Sequence, residues 1–193
     1  MQAVAVLWKG LTIVPLRLAR QGARTTWLWL YEKVARIRDG LSPPETSQVT
    51  PQLFVGGQHF RHGLARMRDL GIGGTLNLRD EFDDTRGGLA LASHLWLATP
   101  DDGAPTLEQL EAGTRFIKQV LAEGAGVYIH CAQGVGRAPA MAAAYLISEG
   151  YDPTAALEMI RAVRPFITPT PSQRARLEEW ARHVANGRIV NVG

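Results

Sequence analysis

Only one cysteine, Cys131, occurs among the 193 residues. A single thiol excludes an internal disulfide, a Cys-rich zinc site and the paired-thiol relay of a redox enzyme or an arsenate reductase. It fits a reducing, cytoplasmic compartment, because a reactive thiolate outside one is open to oxidation and here has no neighbouring cysteine to rescue it. The chain also lacks an uninterrupted run of 18 or more apolar residues, since Lys9 and Arg17 interrupt the most apolar stretch, so no membrane span is expected. No basic segment precedes the first apolar residues, so a cleaved signal peptide is not expected either. Repeats and low-complexity tracts are absent.

What is present is 46% hydrophobic residues, enough for one α/β domain with an extension. The net charge of +3 is unevenly placed. Residues 1–40 carry seven Lys/Arg against Glu32 and Asp39, whereas the remainder holds fourteen basic and sixteen acidic residues. The domain itself therefore has no nucleic-acid footprint. Within residues 1–40, Val4, Leu7, Trp8, Leu11, Val14 and Leu18 share a helical face, and Pro15 is expected to break or kink it. A second helical segment, about 24–38, groups Trp27, Leu30, Tyr31, Val34 and Ile37. This arm has two readings. One is an extension packed on the domain or on a second subunit. The other is an anchor that inserts Trp and aliphatic side chains into a membrane interface and turns Arg and Lys toward anionic lipid, making the protein peripherally membrane-associated.

Residues 41–50, with two prolines and several polar residues, have the composition of a linker. The expected organisation is thus an extension (1–40), a linker (41–50), the main α/β domain (51–186) and a tail (187–193). Strands are expected at about 52–56, 74–79 and 94–98, helices at about 60–70 and 106–123, the latter opened by a Thr106/Gln109 capping box. Asp152 followed by Pro153 opens a further helix, and Thr170 with Gln173 caps the last one. His59 and His62 have no Cys or carboxylate cluster around them in the sequence and are expected to be solvated, so no metal site is expected.

The chain is organised around residues 127–139. Val127, Tyr128 and Ile129 suit a buried strand. His130 and Cys131 follow, then Ala132, Gln133, Gly134, Val135 and Gly136, then Arg137 at the head of an Ala-rich helix. A strand, a glycine-bearing loop and a helix N-terminus point backbone N–H groups at an anion. Those dipoles favour a thiolate on Cys131, expected to bring its pKa from ~8.5 into the range of roughly 3.5–7.5. Arg137 supplies a planar fork matched to two oxygens of a phosphoryl group. Arg79, at the end of a strand, either borders the phosphate pocket or serves as a surface ion-pair partner.

His130-Cys131-x5-Arg137 resembles the signature of the cysteine-dependent protein tyrosine phosphatases, in particular the compact dual-specificity phosphatases, over about residues 49–180. The resemblance implies an α/β fold with a central mixed, mostly parallel sheet of four to five strands flanked by helices. It implies a phosphocysteine on Cys131, loop amides of residues 132–137 around the phosphate, and His130 ordering the loop. It also implies a general acid/base on the loop after the third strand. Asp102 matches an Asp-x-x-Pro form there, with Asp101 the alternative. No cofactor is implied, and the expected partner is a phosphorylated protein or a small phosphomonoester.

Two departures qualify the resemblance. Ala138 stands where the family usually carries Ser or Thr, whose hydroxyl helps the sulfur leave; slow breakdown of the phosphoenzyme is expected. The loop also lacks the lysines common in lipid and inositol phosphatases. Alternative functions are therefore a weakly active phosphate-binding adaptor at a membrane surface, or a phospholipid phosphatase. A rhodanese-like sulfurtransferase is disfavoured by the Cys-x5-Arg spacing and the Asp loop.

Overall fold

The computed structural model describes the backbone of residues 2–190 and the side chains of residues 14–187. The chain order is α1 (Gln2–Asp39), β1 (Leu53–Gly56), α2 (Leu64–Asp69), β2 (Ile72–Arg79), β3 (Ser93–Thr99), α3 (Leu107–Ala122), β4 (Gly126–His130), α4 (Arg137–Ser148), α5 (Pro153–Val163) and α6 (Pro171–Val190). The four strands lie in the order β1-β4-β2-β3 and every pairing is parallel. An isolated antiparallel bridge between Gln48 and Phe54 adds to the β1 edge.

Strand alternation distributes the core to both faces of the sheet. Leu53, Val55, Leu76, Leu78, Val127 and Ile129 point to one face and pack with Met141, Leu146 and Ile147 of α4, Leu110 and Ile117 of α3, Ile160 of α5 and Leu177 of α6. Phe54, Ile72 and Tyr128 point to the other, where Leu41 and Met67 cover them. β4 is buried along its whole length between β1 and β2. Its carboxyl end, where Cys131 follows, therefore opens at the centre of the sheet edge that binds ligands in parallel α/β folds. The local signals act as expected: Thr106 and Gln109 form a reciprocal capping box at α3, and Asp152 accepts from the N–H groups of Thr154 and Ala155 at α5.

The N-terminal region departs from the expectation in several ways. The break in α1 falls at Gly22 (φ +79°), not at Pro15, because a left-handed φ ends a helix more firmly than a missing N–H does. Beyond Gly22, the face that is buried carries Thr26, Trp29, Glu32, Ala35 and Arg36, while Trp27, Val34 and Ile37 of the apolar face are 67%, 65% and 63% exposed. The side chains of Val4, Leu7, Trp8 and Leu11 lie outside the described residues. Residues 41–50 are no free linker. Leu41, Ser42, Thr46 and Ser47 are buried, and the Ser47 hydroxyl donates to the carbonyl of Pro43 at 2.8 Å. The polar composition that suggested a linker is used in hydrogen bonds to the domain. At the other end α6 continues to Val190, past the expected boundary of the tail at 187.

Candidate active site

The loop from Cys131 to Arg137 is held from both sides. Gly134 has φ +64°, and a Cβ there would meet the Gly56 carbonyl at 2.3 Å, so glycine is required both for the turn and for the close approach to β1. Gly136 is not left-handed; its space is limited by the Gln173 amide, with Oε1 at 3.0 Å from a would-be Cβ. The Gly134 N–H donates to Cys131 Sγ at 3.2 Å. Cys131 is 3% exposed and forms the floor of a cavity of about 120 Å³, lined by Ala132, Gln133, Val135, Gly136, Arg137, Asp101, Asp102, Thr168 and Gln173.

Arg137 is buried, and its guanidinium is thoroughly positioned. Nη1 and Nη2 donate to the two carboxylate oxygens of Glu81 at 2.9 and 3.1 Å, and Nη1 donates to the Thr99 carbonyl at 2.8 Å. Nη2 also lies 2.8 Å from Asp101 Oδ1. Burial works against the charged form of Arg137, but the hydrogen bonds of Glu81 outweigh it and raise its pKa. For Glu81 burial acts upward, yet the Arg137 hydrogen bonds hold the carboxyl far below its usual range. The fork is thus held charged on the cavity wall.

Of the two aspartates, Asp101 reaches Arg137 with an exposed carboxylate, whereas Asp102 lines the cavity at φ +60° with its carbonyl accepting from the Thr170 hydroxyl at 3.2 Å. Asp101, the alternative in the sequence reading, is the one of the two aspartates that contacts the Arg137 fork. Arg79 does not line the cavity. Its guanidinium bonds Glu81 at 2.9 Å and Gln58 Oε1 at 3.0 Å, so it is an ion-pair partner one step behind Arg137. His130 points away beneath the loop, where Nε2 meets Asp84 Oδ2 at 2.7 Å.

Asp84 also accepts from Gln58 Nε2 at 2.9 Å, and the Gln58 N–H donates to the Ala132 carbonyl at 3.3 Å. Burial would raise the Asp84 pKa, but the bond and charge of His130 bring it down to about 2. His59, expected to be solvated, is fully buried: Nε2 meets the Leu89 carbonyl at 2.9 Å, and its ring stands edge-on to His130 and Tyr128. His59, Asp84 and His130 bring potential ligand atoms within 4.8 Å of one another. Asp84 is already engaged by His130 and Gln58, and His59 joins them through its edge-on ring contact with His130 and its bond to Leu89, so the three form a buried brace in which the Asp84 bonds would have to be broken to hold a metal.

Sequence reasoning missed the rear support altogether. Arg164, fully buried, donates from Nε to the Gly134 carbonyl at 2.6 Å, from Nη2 to the Gln133 carbonyl at 3.0 Å and from Nη1 to the Thr46 carbonyl at 2.8 Å. Its Nη2 lies 3.3 Å from Glu32 Oε1. Glu32 in turn accepts from Arg36 Nε at 3.0 Å and from the Ser42 hydroxyl at 2.6 Å. A buried network thus ties α1 and the 41–47 segment to the back of the Cys131 loop. The one sequence cue was a basic residue before Pro165.

A family described as "Polymorphic toxin system, DSP-PTPase phosphatase" matches residues 53–151. The chain is 30% identical over 150 residues to human "Phosphatidylglycerophosphatase and protein-tyrosine phosphatase 1", covering 71% of this chain and 73% of that one. It is 30% identical over 141 residues to Arabidopsis thaliana "Phosphatidylglycerophosphate phosphatase PTPMT2", covering 70% and 62%. With the rat counterpart of the human protein, identity is 39% over 93 residues, covering 47% and 48%. The chain therefore spans between about half and two thirds of the length of the Arabidopsis and rat relatives. A crystal structure of PTPMT1 matches with a TM-score of 0.68 at 27% identity, covering 74% of this chain and 98% of that one. Human DUSP28, at 19% identity and a TM-score of 0.65 over 72% and 97%, shares the fold. By its signature loop, its fold and these relatives, the chain belongs to the DSP-PTPase family of cysteine-dependent phosphatases.

Proposed function

We propose that the protein hydrolyses phosphomonoesters through a phosphocysteine intermediate. Cys131 Sγ attacks phosphorus, the ester P–O bond breaks, and the leaving oxygen takes a proton from an aspartic acid of the 101–102 pair. The same carboxylate then removes a proton from water, which attacks phosphorus and releases the sulfur as thiolate with inorganic phosphate. Loop N–H groups and the Arg137 fork hold the phosphoryl oxygens while charge spreads over them. Asp101 is the better-supported acid, because its carboxylate stands 2.8 Å from the guanidinium that would receive those oxygens. The observation that carries the reading is the convergence of Cys131, Arg137 and Asp101 on one 120 Å³ cavity at the carboxyl end of β4.

Hydrolysis of p-nitrophenyl phosphate by the full chain tests it. Cys131→Ser should abolish turnover, and activity of that variant at the wild-type level would refute the mechanism.

A membrane phosphomonoester is the finer reading of the substrate. Two relatives are named for phosphatidylglycerophosphate chemistry, and a PTPMT1 structure contains PI(5)P. On this chain the outward face of α1, with Trp27, Val34 and Ile37 exposed, supports peripheral contact with a lipid surface. Among the described residues no helix is long and apolar enough to cross a membrane. A weakly active phosphate-binding adaptor is the second reading, favoured by Ala138, which offers no hydroxyl to the sulfur.

A further inference from the structure

Next to the catalytic cavity lies a second one, of about 320 Å³, lined by Leu16, Arg17, Arg20, Gln21 and Thr168. Thr168 belongs to the wall of both cavities. Its N–H donates to the Val135 carbonyl of the Cys131 loop at 2.7 Å, so the two spaces meet at one residue fixed to the catalytic loop. The segment that separates them has two sides. Arg164 faces the loop, while the Phe166 carbonyl faces Arg17 Nη1 at 3.4 Å.

The second cavity is cationic without a counter-charge. Arg17 has only neutral partners: Gln21 Oε1 at 2.9 Å, the Phe166 carbonyl, and the Trp29 ring 4.7 Å from its guanidinium carbon. Lys33 stands over the same Trp29 ring at 4.5 Å. No carboxylate pairs with Arg17, Arg20 or Lys33 among the described residues, although every other basic cluster near the site contains one. Burial lowers the pKa of Arg17, the mark of a half-desolvated cation that an anion would stabilise. Leu16, half-exposed, lines the same cavity and adds apolar surface beside these cations.

We propose that Arg17 and Arg20 form a subsite for a phosphodiester carried by the same polyol whose phosphomonoester enters the Cys131 cavity. The inference rests on the phosphatase reading and specifies its substrate class: a polyol with one terminal phosphate and one diester phosphate. Phosphatidylglycerophosphate has that pattern, and Leu16, on the wall of the same cavity, offers apolar surface toward its acyl chains. This also accounts for the absence of lysine in the catalytic loop. The second anionic group is met by α1 and not by the loop.

The test compares kcat/KM for glycerophosphoglycerophosphate, which has the diester and no acyl chains, with kcat/KM for glycerol 3-phosphate, which has neither. The wild-type ratio should be about tenfold or more, the worth of one or two charge-assisted hydrogen bonds, and should collapse toward unity in Arg17→Gln/Arg20→Gln. Arg20→Gln alone, an exposed position, should lower the ratio in the same direction without changing the melting temperature. A ratio that survives the double substitution overturns the proposal, as does an equal loss on both substrates. Phosphatidylglycerophosphate in phosphatidylcholine vesicles is the third arm. If only the vesicle substrate responds to the substitutions, the arginines serve the bilayer surface and the diester subsite is refuted. Calorimetric titration of glycerophosphoglycerophosphate into Cys131→Ser separates this inference from its premise. Arg17-dependent binding to Cys131→Ser, together with a wild type that turns over no phosphomonoester, upholds the subsite while the hydrolase reading falls. Turnover of p-nitrophenyl phosphate without diester preference does the reverse.

Discussion

Asp101 and Asp102 are adjacent in sequence but not equivalent in space. Asp101 extends its carboxylate to Arg137, and Asp102 adopts φ +60°, held through its carbonyl by Thr170. Asp101→Asn should therefore lower kcat on p-nitrophenyl phosphate by about 10²-fold or more and remove the limb of the pH–rate profile that requires a protonated acid. Asp102→Asn should keep that limb. The reverse pattern would assign the acid to Asp102, as the Asp-x-x-Pro spacing suggested. That spacing favoured Asp102 without fixing where either carboxylate points, which in a loop is set by backbone direction and not by residue type.

Among the elements, the decisive coupling is between α1 and the Cys131 loop. Arg164 links carbonyls of Gln133 and Gly134 to Thr46 and Glu32, so the loop conformation depends on segments read from sequence as extension and linker. Arg164→Ala would leave three carbonyl acceptors unmet in the interior and Glu32 with only Arg36 and Ser42 as partners. It should cost about 3–5 kcal/mol by chemical denaturation and reduce kcat as the loop loosens. Arg164→Lys retains the charge without the fork, and should recover part of the stability but not the rate. Unchanged stability and rate in Arg164→Ala would remove the network from the account. The outward face of α1 makes a separate prediction. The protein should sediment with vesicles containing phosphatidylglycerol, and Trp27→Ser should weaken that binding; failure of the wild type to bind would leave the exposed Trp27, Val34 and Ile37 without this role.

At the scale of the whole molecule, acid sensitivity should come from the buried brace. Burial, then the neighbouring His130, moves the His59 pKa from 6.5 down to about 4. The folded state thus binds fewer protons than the unfolded chain between those values. Stability is complete above about pH 6.5 and declines as pH falls toward 4, by on the order of 3 kcal/mol. Asp84, depressed to about 2 from 3.8, extends the loss below pH 4. Melting temperature against pH should show this descent, and His59→Asn should flatten the portion between pH 6.5 and 4. A profile flat in the wild type over that interval would contradict the brace.

The strands, the caps at Thr106 and Asp152 and the Cys131 loop were legible in the sequence, since each is written in a few adjacent residues, whereas the mostly parallel pairing came only from the family resemblance. The Glu32–Arg164 brace and the burial of His59 were not, because their partners come from segments far apart in the chain; Arg164 and Thr46 are separated by 118 positions. The 41–50 segment misled for the same reason. Serine, threonine and proline look alike in a solvated linker and in a buried turn until the acceptors around them are known.

The most direct measurement of the central claim is rapid acid quench of the enzyme with a radiolabelled phosphomonoester, followed by mapping of the labelled peptide. The account predicts a burst of label on Cys131 approaching one equivalent, because Ala138 gives the departing sulfur no hydroxyl. In Ala138→Ser the burst should shrink and kcat rise. Turnover with no label on Cys131 at any quench time would contradict it.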